Sequence, residues 1–302
     1  ELRREIGNVN INTVVMKNRV KEITSRSIKA ESKIQILEEI IGFLDLTTLE
    51  GSDTPNKVEQ LVKRAANPYK NNFSINCAAV CVYSDLVGVA REAIKQTGKD
   101  IKLAAVSSYF PSGRTEFENK IIDSRNALEA GADEIDIVID RAAYLKGDYF
   151  KIYTEVKELV DLAHSYNARV KTILEVGELP LYNDVVKASR LSLLAGSDFI
   201  KTSTGKLPLS STPEYAYLMT EVLSDFNTKD DIRGFKPAGG IRTSKEAISL
   251  YLITENNLGG DFLVPNYFRI GASTLLNDLL LQLAKQEDPD LGYKSAIYLG
   301  AI

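Results

Sequence analysis

The chain has 302 residues, 44% of them hydrophobic and 26% charged, with a formal charge of −4. That length fits one large barrel or two smaller domains, and the composition is that of a globular protein. The mildly negative balance speaks against general affinity for nucleic acid or anionic membranes, and no apolar stretch approaches a membrane span.

The first segment, ELRREIGNVN, lacks the apolar core of a signal peptide. KNRVKEITSRSIKAESKIQILEEIIGF then reads as helical. Residues 1–39 are therefore expected to form an N-terminal helical extension, covering the barrel's N-terminal end or contacting another subunit. From residue 40 the chain alternates short β-branched runs with helical ones. The strand-like runs are IIGFLDLTT (40–48), INCAAVCVY (75–83), IKLAAVSSY (101–109), EIDIVID (134–140), RVKTILEV (169–176), FIKTST (199–204), GFKPAG (234–239) and YFRIGAS (267–273). Between them lie amphipathic stretches such as TPNKVEQLVKRAAN and TSKEAISLYLITENN, several introduced by proline (Pro55, Pro180, Pro213). Eight such units predict an α/β fold, a (β/α)8 TIM barrel over residues 40–302. A doubly wound sheet would usually carry G-x-G-x-x-G after its first strand, and LDLTTLEGSDTP has none.

Histidine and cysteine usage narrows the chemistry. His164 is the single histidine, in the last turn of a predicted helix, where a cation suits the helix dipole. A metal hydrolase or a Ser-His-Asp triad would ask more of the chain, so no metal and no cofactor are expected. Cys77 and Cys81 lie four apart on one strand, a poor geometry for a disulfide. Reduced thiols of a cytoplasmic protein are expected.

Two lysines are hard to explain by packing: Lys201 in SDFIKTSTGK and Lys236 in RGFKPAGGIRT. Each sits in a run that reads as a buried strand, where a charged amine is costly and its pKa falls. Two lysines facing one cavity would depress each other further, a route to a nucleophilic amine near neutral pH. Strand alternation puts Asp136, Lys171 and Glu175 on faces that would meet them in one interior. A buried salt-bridge network fixing strand register is the competing reading. The residues alone do not say which lysine attacks.

Glycine-rich turns follow three late strands: Gly205-Lys206, Gly239-Gly240 with Arg242 beyond, and Gly271-Ala272-Ser273-Thr274 opening a helix. Backbone amides in such turns bind phosphate, and barrels often place phosphate after strands seven and eight. The expected partner is a small phosphorylated metabolite with a carbonyl.

These segments together resemble class I (Schiff-base) deoxyribose-phosphate aldolases. The likeness runs through LDLTTL (44–49), AAVCVY (78–83), GADEIDIVI (131–139), LEVGEL (174–179), DFIKTSTGK (198–206), GFKPAGGIRT (234–243) and FRIGASTLL (268–276). The resemblance implies a cofactor-independent lyase of deoxyribonucleotide catabolism, and subunits that associate as a dimer or tetramer. It implies Lys201 as the nucleophile, Lys236 as the neighbour that lowers its pKa, and Asp136 as the proton-handling carboxylate held charged by Lys171. It further implies that Asp45 and Thr47 meet sugar hydroxyls, and that Gly205, Lys206, Gly239, Gly240, Gly271 and Ser273 hold phosphate. Cys81 matches a cysteine near the family's site, although a small buried strand residue needs no catalytic role. Asp140 stands where some relatives have asparagine, and Tyr298 in the C-terminal GYKSAIYLGAI is a candidate for a terminal tyrosine that assists proton transfer. Another Schiff-base phosphosugar enzyme, such as a transaldolase or a ketose-bisphosphate aldolase, and a non-catalytic phosphosugar-binding barrel are the alternatives.

Overall fold

The structure is a computed structural model describing residues 2–26, 28 and 30–287. Eight strands, β1 (Leu44–Thr47), β2 (Ala79–Tyr83), β3 (Lys102–Val106), β4 (Glu134–Val138), β5 (Arg169–Ile173), β6 (Phe199–Lys201), β7 (Gly234–Lys236) and β8 (Ile270–Ala272), pair in the order β7-β6-β5-β4-β3-β2-β1-β8. Every pairing is parallel. Parallel bridges Phe235–Phe268 and Ala238–Gly271 close the ring between β7 and β8. All eight expected strands are present and form the (β/α)8 barrel. They are shorter than their apolar runs, because the backbone leaves the ladder at the rim to build the loops. Residues 40–42 belong to a helix rather than to β1.

The outer ring comprises α4 (Pro55–Ala66), α5 (Val87–Thr97), α6 (Phe117–Glu129), α7 (Arg141–Leu145), α8 (Tyr149–Ser165), α9 (Tyr182–Leu194), α10 (Pro213–Phe226), α11 (Ser244–Leu258) and α12 (Leu275–Glu287). Helices outside and packed side chains inside leave the strands buried on both faces, which accounts for their continuous apolar runs. Local chemistry sets several helix starts. Thr54 and Thr212 accept from backbone amides as N-caps, each followed by proline, and Thr243 forms a capping box with Glu246.

Three helices precede the barrel: α1 (Leu2–Ile6), α2 (Thr13–Thr24) and α3 (Ala30–Gly42). They lie on the outside of the ring, α1 against α8 and α9, α2 against α10 and α11, α3 against α11 and α12. Met16, Val20 and Ile23 of α2 are buried and join the main apolar core. Helix α3 runs without a break across residue 39 into the barrel's first strand connection. Among the described residues, no helix is long and apolar enough to cross a membrane.

Candidate active site

Register places the charged residues. Lys201 is the direct partner of Lys236, and Asp136 that of Lys171. Parallel partners project to the same side of the sheet, so both pairs enter the barrel interior at successive levels. Gly234 leaves room for the inward ring of Phe199, whose edge a Cβ there would meet at 2.3 Å.

Asp136 is the hub. Its Oδ2 accepts from Lys201 Nζ at 2.7 Å and from Lys236 Nζ at 2.7 Å, and its Oδ1 accepts from Lys171 Nζ at 2.9 Å. Lys236 also pairs with Asp45, and Lys171 with Glu134 at 2.5 Å. Arg269 closes the network from below, donating to Asp45 Oδ1 at 2.7 Å and to Glu134 Oε1 at 2.8 Å. All of these side chains are buried. A buried salt-bridge network therefore exists, and it forms the floor of a cavity rather than an alternative to one.

The electrostatics separate the two lysines. Burial pulls the Lys201 amine below its ordinary value, and the adjacent Lys236 ammonium adds to this against the pull of Asp136. Burial acts on Lys236 too, but it lies between Asp136 and Asp45, and the two carboxylates push its pKa above the ordinary range. The expected mutual depression is thus one-sided: Lys236 depresses Lys201 and is not itself depressed. Burial works to raise Asp136, but three ammonium groups hold its carboxyl well below the usual range. Burial pushes the Cys81 thiol up to about 11, so it stays a neutral, buried thiol.

Above this floor opens a cavity of about 540 Å³. Lys201 lines it; Lys236, Asp136, Lys171 and Asp45 do not. Thr47, Gly205, Lys206, Gly239, Gly240, Gly271 and Ser273 line it as well. Asp45 was expected at sugar hydroxyls, but the structure commits it to Lys236 and Arg269 beneath the lysines. Lys206 reaches Glu50 at 3.0 Å across the mouth. Gly239 has φ +86°, and a Cβ there would come within 2.7 Å of Ser210, so glycine is required for the turn. At Gly271 a Cβ would press on Ala238 at 2.8 Å and on the Lys236 stem at 3.1 Å.

Glu175, expected among the lysines, lies elsewhere. Strand β5 ends at Ile173, and Glu175 takes a left-handed φ of +54°, which ends the alternation that would have pointed it inward. Its carboxylate instead accepts from Thr204 Oγ1 at 2.5 Å and from Arg141 at 3.3 Å, bracing the loop that carries Gly205 and Lys206. Asp140 caps α7 through Ala143 N and pairs with Lys151. His164 meets Asp198 at 2.9 Å on the outside of the ring. Cys77 and Cys81 are both free and buried. Tyr298 lies outside the described residues. Sequence reading missed Arg269 and Glu134. The signal was present, since Arg269 is a cation inside the strand-like run YFRIGAS and Glu134 is two residues from Asp136.

Comparison with known proteins gives the family. Residues 40–280 match the model of the DeoC/LacD family of aldolases. The chain belongs to that family. It is 39% identical over 289 residues to a mouse deoxyribose-phosphate aldolase, covering 92% of this chain and 90% of the relative. It is 38% identical to the human protein of the same name over the same shares. Among solved structures, one described as the unique tetrameric structure of deoxyribose phosphate aldolase from Aeropyrum pernix aligns with a TM-score of 0.65 at 25% identity. That alignment covers 87% of this chain and all of the other.

Proposed function

We propose that this DeoC/LacD family member cleaves 2-deoxy-D-ribose 5-phosphate reversibly to acetaldehyde and D-glyceraldehyde 3-phosphate. The observation that carries the reading is a single amine, Lys201, with a lowered pKa at the floor of a cavity walled by glycine turns. The names of the mouse and human relatives support the substrate.

The neutral Lys201 amine adds to the aldehyde carbon of the open-chain sugar, and loss of water gives an iminium ion. The C3 hydroxyl then gives up its proton while the C2–C3 bond breaks. The bonding pair moves toward the iminium nitrogen, leaving an enamine and glyceraldehyde 3-phosphate. Protonation at C2 and hydrolysis release acetaldehyde and restore the amine. Asp136 handles protons at these steps together with water. When Lys201 is neutral, one of the three cations that hold Asp136 down is gone, so its carboxylate becomes a better acceptor. Lys171 keeps Asp136 oriented, and Lys236 keeps a positive charge beside the amine. Asp45 holds Lys236, and Thr47 faces the sugar. Gly205, Lys206, Gly239, Gly240, Gly271 and Ser273 receive the phosphate, with Ser273 just before α12. The reaction serves deoxyribonucleotide catabolism in the cytoplasm, and the subunits associate as a dimer or tetramer.

Intact-mass analysis and peptide mapping after incubation with acetaldehyde and sodium borohydride test this. A reduced two-carbon adduct confined to Lys201 is expected. An adduct on Lys236, or none, overturns the assignment.

A further inference from the structure

Four buried cations, Lys171, Lys201, Lys236 and Arg269, face three buried carboxylates, Asp45, Glu134 and Asp136. The cluster therefore carries one surplus positive charge when every group is ionised. An uncompensated charge in a protein interior is costly, and release of a proton is its ordinary relief. Arginine does not deprotonate in proteins, so the relief falls to a lysine. Lys171 meets Glu134 at 2.5 Å and Asp136 at 2.9 Å, and Lys236 is wedged between Asp45 and Asp136. Lys201 has a single carboxylate partner and an open path to the cavity.

We propose that Arg269 is a positioning residue whose fixed positive charge makes the buried cluster one cation too rich, so that Lys201 is the lysine that sheds its proton. This rests on Lys201 being the Schiff-base nucleophile. Arg269 acts through Asp45 and Glu134: each carboxylate that it engages is partly withdrawn from the lysines. The Arg269 side chain is held in place by its own Nε donating to the Pro265 carbonyl and by its backbone amide donating to Phe235 O at 3.1 Å. Its guanidinium lies 5.9 Å from the Phe199 ring centroid, beneath the lysine level.

The other charged groups around the cluster do not remove the surplus. On β2, Cys81 is a neutral thiol. At the start of β5, Arg169 stacks 4.6 Å over Phe199 and donates to Asn266 O, adding positive charge at the outer edge. Asp198, before β6, is occupied by His164 and by the Val170 amide. On the cavity side Lys206 and Glu50 neutralise each other, Lys57 is paired with Asp53, and Arg64 and Arg242 add only positive charge. Glu175, at the end of β5, is taken by Thr204 and Arg141.

The test is the pH dependence of kcat/KM for 2-deoxyribose 5-phosphate in the wild type, Arg269→Met, Arg269→Lys and Glu134→Gln. The acid limb of the wild type reports loss of the Lys201 proton in the free enzyme. Arg269→Met leaves three cations against three carboxylates, so the limb moves to higher pH by about one unit. Activity on that limb falls about tenfold and returns as the pH is raised. Arg269→Lys restores the wild-type limb. Glu134→Gln doubles the surplus and moves the limb the opposite way, to lower pH. A purely structural role lowers activity uniformly and leaves the limb in place, and that result overturns the proposal. Where Arg269→Met does not fold, the Glu134→Gln limb decides alone: a downward shift supports the proposal, and an unmoved or raised limb overturns it. Acetaldehyde trapping on the wild type is run in parallel. Failure to label Lys201 removes the nucleophile reading and this proposal together, whereas labelling with an unmoved limb removes this proposal only.

Discussion

At the scale of single residues, the decisive contrast is between Lys201 and Lys236, two partnered lysines with opposite protonation behaviour. One carboxylate contact more or less makes the difference. Asp136 is common to both and to Lys171, and its removal is the sharpest perturbation available. In Asp136→Asn three lysine amines lose their shared anion, and the interior keeps two uncompensated positive charges while Lys201 is protonated and one once it is neutral. Breaking a buried pair by deleting one partner costs about 3–5 kcal/mol. Urea unfolding at neutral pH is expected to show a loss of that order relative to the wild type. Activity is expected to fall by about 10² or more, because the proton carrier goes with the anion. An Asn variant with wild-type stability would mean that the lysines find other partners.

At the scale of elements, loop positions follow from caps and strand ends. The Gly239–Arg242 turn is tied to α11 through Glu246, whose Oε2 accepts from the amides of Arg242 and Thr243 and from Thr243 Oγ1, each at 2.9 Å. Glu246→Ala cuts all three and loosens the turn. Cap losses cost about 1 kcal/mol. The expected kinetic effect is a several-fold higher KM for the phosphorylated substrate with kcat nearly unchanged, because the lysine floor is untouched. Steady-state kinetics against 2-deoxyribose 5-phosphate and unphosphorylated 2-deoxyribose check this. The penalty should appear for the first and vanish for the second. Elements were readable in the sequence because β-branched runs and helical spacing alternate cleanly, and Asp136, Lys171, Lys201 and Lys236 fell on inward faces by simple alternation. Glu175 was not readable, since alternation stops where a strand stops and no pattern marks that residue. Asp45 entered only through the family resemblance, as a residue at the sugar hydroxyls, and not as a carboxylate tied to Lys236 and Arg269. That partnership joins β1 to β7 and to the entry of β8, far apart in sequence.

At the scale of the whole molecule, the barrel tolerates at its centre a charge imbalance that works against its own stability. Lys201 is buried, and its folded pKa is lowered, so protonating it costs folding free energy. The stability linked to this group is present above the unfolded value of about 10.4 and is lost as pH falls through the folded value. The carboxylates behave in the other range. Asp45, Glu134 and Asp136 are all held below their ordinary values, so their contribution is present above about 4 and is lost only in stronger acid. Between the carboxylate range and the folded pKa of Lys201, where the lysine is protonated, the cluster is short of one negative charge, and an apolar side chain at position 201 would remove the deficit. Lys201→Met is therefore expected to be catalytically dead yet more stable than the wild type. The gain amounts to about 1.4 kcal/mol for each unit by which Lys201 is depressed. It should be full below the folded pKa of Lys201, shrink as the pH rises, and vanish near the unfolded value. Denaturant unfolding of both proteins across that range measures it. A variant that is less stable than the wild type at neutral pH would show that the Lys201–Asp136 pair stabilises the barrel on balance, and that the surplus charge is relieved by some group other than Lys201.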